Sequence, residues 1–131
     1  MIVLRALSFD DAPHVVDTWY SDHAKDEELL AELDALMLYL RQQNREGWTR
    51  PRYDTLRDTG GAGAIHFRVR RVEQRWLGFF GPSRNEFTFL IFATKTNRYD
   101  PRNAIESVIA RRDLVVANPN RSVIIKGRWC Q

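Results

Sequence analysis

Cysteine is nearly missing from this chain. Its one copy, Cys130, cannot form an internal disulfide or supply a cysteine metal cluster, which fits a reducing compartment. Glycine and proline are sparse as well, at 7 and 5 copies in 131 residues, which excludes collagen-like and low-complexity chains. No apolar run approaches the roughly 18 residues that a membrane span needs. The opening MIVLRALSFDD has one early arginine and an apolar stretch broken by charge, unlike a secretory signal, so the expected location is the cytoplasm. The three histidines, His14, His23 and His66, fall into no HExxH or comparable metal spacing, and P-loop, GxGxxG and GxSxG signatures are lacking. Metal and nucleotide-cofactor chemistry are therefore not expected, and no cofactor is assigned.

What is present is a chain of single-domain size, 44% hydrophobic and 28% charged, large enough to bury a core without covalent staples. Its net charge of +3 conceals a segregation. Residues 1–63 carry seven Lys/Arg against twelve Asp/Glu, a net of −5, and residues 64–131 carry thirteen against five, a net of +8. A basic part built by the second half makes nucleic acid the leading class of partner. A solvated basic face opposite an acidic one is the plain alternative, and charge alone does not choose between them.

Hydrophobic periodicity organises the chain. MIVLRAL reads as a short strand, and Ser8 with Asp11 reads as a capping box for a helix through His14, Val15, Val16, Trp19 and Tyr20. Leu29, Leu33, Leu36 and Leu40 recur on one face of a helix from Asp26 to Gln43. The breaker-rich NREGWTRPRYDTLRDTGGAG is a structured connector into a sheet. From Ala64 the period becomes two, with Ile65, Phe67 and Val69 alternating with His66, Arg68 and Arg70. A turn near VEQ leads to a strand from Arg75 to Phe80, and GPSRN leads to another from Phe87 to Thr94. Asp100-Pro101 reads as the N-cap and first turn of a closing helix bearing Ile105, Val108, Ile109 and Val115, with a last strand at Ser122–Lys126. The expected fold is α+β: an antiparallel sheet of four or five strands, two N-terminal helices on the face of Ile65, Phe67 and Val69, and a C-terminal helix.

Strand alternation sends His66, Arg68 and Arg70 to one side of that sheet, where Arg75 and Lys95 can join them. Such a cluster suits an RNA backbone, because guanidinium groups bind phosphate bidentately and also stack on bases. It also suits cleavage of RNA by its own 2′-hydroxyl. That reaction needs a proton acceptor, a proton donor and positive charge on the phosphoryl oxygens. Imidazole titrates near neutral pH, and Arg and Lys supply the charge. The bland reading is that the arginines keep an exposed sheet face soluble.

The order RPRYDTL, GAIHFRVR, RWLGFF and FLIFATKT, followed by a proline-initiated helix, resembles the phage-derived branch of the RelE/HigB-type toxins, over residues 15 to 112. The resemblance implies a single RelE/HigB-like domain over residues 1–131, with a RelE-like fold. It also implies a type II toxin that cleaves mRNA on the ribosome without metal, partnered by a cognate antitoxin and needing no membrane or small-molecule cofactor. It puts Arg68 on the family's strand arginine, Arg75 on the arginine that opens the next strand, and Lys95 on the second of two usual lysines. The first of that pair is Thr94 here, and His66 occupies a position that varies in the family. The catalytic set it implies is Arg75, Lys95, Arg68 and His66, with Arg70, Arg71, Arg98 and Arg102 as further nucleic-acid contacts. A non-enzymatic relative, either a gyrase inhibitor or a prophage nucleic-acid binder, is the alternative.

Overall fold

The computed structural model describes residues 1–10 and 12–131. The chain is α+β, with a mostly antiparallel sheet between two helical layers. The elements in chain order are β1 (Val3–Leu7), α1 (Val15–Asp22), α2 (Glu27–Gln42), β2 (Tyr53–Thr55), β3 (Ala62–Val69), β4 (Val72–Phe80), β5 (Glu86–Lys95), β6 (Tyr99–Asp100), α3 (Ala104–Ala117) and β7 (Ser122–Ile124). The strands run β2-β3-β4-β5-β1-β7 across the sheet, and β6 pairs with the far end of β5. Among the described residues, seven strands therefore replace the expected four or five. The sheet is also not wholly antiparallel, because β1 lies parallel to β5. The helices and the long excursion between those two strands provide the crossover that a parallel pair requires.

Each sheet face is closed by a different helical layer. On one side Leu29, Leu33, Met37 and Leu40 of α2 and Val16, Trp19 and Tyr20 of α1 join Ile65, Val69, Trp76, Phe87 and Phe89 in one buried cluster. Phe67 and Leu36 are only half-buried against it. Trp76 is the hub: its ring lies edge-on to Trp19 and Phe89, with centroids 4.7 and 5.5 Å away, and 4.0 Å from Phe92. Edge-to-face geometry places the positive ring edge on the negative face of its neighbour. On the other side Ala104, Val108 and Val115 of α3 pack onto Ala62, Ala64, Leu77, Phe79, Leu90 and Ala93. The alanines there give α3 room to approach.

Several boundaries differ from the sequence expectation. Helix α1 starts at Val15 with His14 as N-cap, the His14 Nδ1 accepting from the Asp17 N–H at 3.1 Å. The expected Ser8–Asp11 box falls partly on Asp11, outside the described residues. Asp100 does not cap α3: its backbone pairs with Thr94 in β6, and the helix begins three residues later behind Asn103. Gly78 pairs with Phe89 while Leu77 pairs with Ile91, so Leu90 is the extra residue of a β-bulge. A Cβ on Gly78 would collide with the Thr88 carbonyl, so the bulge requires glycine at that position.

Candidate nucleic-acid interface

The β3-β4 register assembles the site. His66 lies directly opposite Arg75, and Arg68 opposite Glu73. On the other side of β4, Arg75 faces Ala93 and Glu73 faces Lys95. Alternation continues the small-residue rows of the α3 face along the same strands: Ala62, Ala64, His66, Arg68 on β3, and Phe79, Leu77, Arg75, Glu73 on β4. Where α3 covers the face it is apolar and closely packed, and beyond the helix it becomes His66, Arg68, Glu73, Arg75 and Lys95. Four of the residues expected to form a site, His66, Arg68, Arg75 and Lys95, are therefore on one surface.

The surface is more structured than a solvated basic face. The Arg75 side chain is only 17% accessible, because β4 is a central strand with β3 and β5 on either side. Its Nη1 lies 3.5 Å from Glu73 Oε2, while Arg68 donates through Nε to Glu73 Oε1 at 2.6 Å. One carboxylate is thus shared by two guanidinium groups, which fixes their spacing and cancels part of their charge. The Lys95 ammonium sits 4.7 Å over the ring of Tyr99, brought there by the β5-β6 pair. Burial raises the pKa of the Tyr99 phenol, with Arg75 opposing it, so the phenol stays protonated. The His66 pKa is lowered below that of a free imidazole, first by burial and then by the Arg75 charge, with Asp54 and Glu73 opposing and Lys95 adding the least. At neutral pH the ring is therefore uncharged and able to accept a proton.

Beside His66 opens a shallow groove of about 370 Å³, lined by Pro51, Arg52, His66, Phe67, Arg68, Glu73 and Arg75. Arg52 is held there by its own backbone, whose carbonyl accepts from the His66 N–H at 2.8 Å. Periodicity alone did not single out Glu73, Tyr99 or Arg52. The signal for Glu73 was the two-residue hairpin Val69-Arg70-Arg71-Val72, which fixes the register and could have been read from the length of the alternating run.

Other expected contacts fall elsewhere. Arg70 does not continue the His66–Arg68 row: with Arg71 it forms the turn, at φ 48° and 69°. The turn directs its guanidinium towards α2, where it pairs with Asp26 and with Glu28 at 2.9 Å. Arg71 is exposed at the hairpin tip, and Arg98 and Arg102 are exposed in the loops on either side of β6. His14 and His23 are structural. His14 caps α1 and lies 3.2 Å from Asp17, and His23 stacks on Trp19 at 4.1 Å. No group of three or more His, Cys, Asp or Glu with metal-binding placement occurs among the described residues, and no helix among them is long and apolar enough to cross a membrane. No family model, curated protein or solved structure matches this chain.

Proposed function

We propose that this chain is the toxin of a type II toxin-antitoxin pair, cleaving mRNA on the ribosome by attack of the message's own 2′-hydroxyl. The observation that carries the reading is the cross-strand pair of a neutral imidazole, His66, and a largely buried guanidinium, Arg75, with Lys95 on the same face. In this reading His66 takes the 2′-hydroxyl proton as the 2′-oxygen bonds to phosphorus. Arg75 holds the phosphoryl oxygens as their charge grows, and the bond to the 5′-oxygen breaks while Lys95 protonates that leaving atom. The products are a 2′,3′-cyclic phosphate and a 5′-hydroxyl. Charge that appears only in the transition state is where a preorganised donor is most effective. An acidic antitoxin segment would compete for the same cations, and affinity for RNA or antitoxin would fall steeply with salt through counterion release.

Glu73 favours a second reading. A carboxylate between Arg68 and Arg75 repels phosphate, as expected of a non-enzymatic relative that binds a protein target through arginines held at fixed spacing. Single-turnover cleavage of ribosome-bound mRNA separates the two. The proposed function requires the parent protein to cut and Arg75→Ala to lose most of the rate while melting like the parent. A parent protein that arrests growth without producing mRNA fragments would establish the binding reading instead.

A further inference from the structure

The groove beside His66 has two chemically distinct walls. One is charged and hydrogen-bonding: His66, Arg68 and Arg75, with the Glu73 carboxylate between the arginines. The other is made by Pro51, the half-buried Phe67 and Arg52. The Arg52 guanidinium lies 4.5 Å over the ring of Tyr39, which projects from α2 and is itself 43% exposed. The Tyr39 ring therefore supports one face of the guanidinium plane. No ion pair involving Arg52 occurs among the described residues, although its neighbours Arg50 and Arg68 each have a carboxylate partner. An arginine that lies over an aromatic ring without an ion-pair partner, and whose backbone is tied to His66, lines the same groove as His66, Arg68 and Arg75.

We propose that Arg52, backed by Tyr39, is a nucleobase platform, and that the groove receives one nucleotide with its phosphate at His66 and Arg75 and its base on the Arg52 plane. Arg planes stack on unpaired RNA bases, and stacking tolerates all four bases because each has a π face. The platform thus contributes affinity, and it leaves sequence preference to other contacts. Tyr39 acts through Arg52 as a positioning residue. This inference rests on the RNA reading of the same site and adds the subsite that holds the base.

The test is single-turnover cleavage of ribosome-bound mRNA by the full chain over a range of protein concentrations. The message is either intact or carries one abasic nucleotide on the 5′ or 3′ side of the scissile phosphate. Arg52→Ala should raise the half-saturating concentration about tenfold on intact message, and the abasic substitution should do the same to the parent protein. The two changes together should cost little more than either alone, since they remove the same contact. Tyr39→Ala should give a smaller loss in the same direction, Arg52→Lys should not rescue, and the maximal rate should stay near that of the parent. Losses that simply add, or an Arg52→Ala variant that binds intact message like the parent, would overturn the platform and leave the cleavage reading standing. A parent protein that cuts neither message would overturn the cleavage reading and this inference with it.

Discussion

Strands β3 and β4 carry two different surfaces on one face of the sheet. Towards α3 the face presents Ala62, Ala64, Leu77 and Phe79, all buried, and towards the hairpin it presents His66, Arg68, Glu73 and Arg75. The strands, their hydrogen bonding and their alternation are continuous, and the difference is where the helix stops. Under α3 every side chain must be small or apolar, because an unpaired charge there would lose its hydration without compensation. Beyond it the same rows can carry charge, but only in partial shelter, so Arg75 and His66 are held by the strands and still reach solvent. Chemistry that needs fixed positions and perturbed proton affinities fits that border, where a group is desolvated enough to shift its pKa and accessible enough to meet a ligand.

The contrast predicts separable effects on either side of the border. Leu77→Ala, under the helix, should lose about 2–5 kcal/mol of stability in chemical denaturation and leave the catalytic constants of the surviving folded protein nearly unchanged. A loss much below that range would mean that α3 does not close the face as described. Two residues away, Arg75→Ala should show the opposite pattern, costing about 2.7–4 kcal/mol of barrier, roughly 100 to 1,000-fold in rate, with a thermal transition close to the parent's. Cleavage at the parental rate would remove Arg75 from the chemistry.

His66 sharpens the comparison through pH. Its pKa lies below the 6.5 of a free imidazole. The rate should therefore rise with pH to a plateau whose lower limb has its midpoint below that value, and His66→Gln should abolish the limb. Folding favours the neutral ring, so its contribution to stability is present above 6.5 and is lost as pH falls through the folded-state value. A limb centred above 6.5 would show that a different group is titrating. The smallest effect is expected at the hairpin tip. Replacing Arg70-Arg71 with Asn-Gly suits the positive φ angles of that turn and should preserve or slightly raise the melting temperature. It should also lower RNA affinity only slightly, because Arg70 is engaged with α2 and only Arg71 is free to meet phosphate. A large loss of binding would restore the hairpin tip to the interface.

Local pattern reveals much of this fold. The period-two run from Ala64 has one side in the core and the other carrying His66 and Arg68, and α2 buries Leu29, Leu33 and Leu40 as their spacing requires. These features repeat over several residues, and burial rewards every repeat. The last strand was legible near Ser122, but β2 and β6 were not, because segments as short as Tyr53–Thr55 and Tyr99–Asp100 are strands only by virtue of their neighbours. The parallel β1-β5 pair escaped for the same reason, since it joins residues more than eighty positions apart. The turn was misplaced because Arg-Arg lacks the glycine or asparagine that usually marks positive φ.

By itself, then, the sequence determined which side chains are available: a basic second half, an imidazole two residues from an arginine on an alternating strand, and a single cysteine, too few for an internal disulfide. Their company was decided only by the tertiary structure. Cross-strand register put His66 opposite Arg75, the hairpin returned Glu73 to Arg68, the β5-β6 pair slid Tyr99 beneath Lys95, and the two-residue turn took Arg70 away to α2. The physical reason is that proton affinity and effective charge depend on what surrounds a group as well as on its type. Those surroundings come from strands and helices distant in sequence, brought together by burial of the two apolar clusters that flank the sheet.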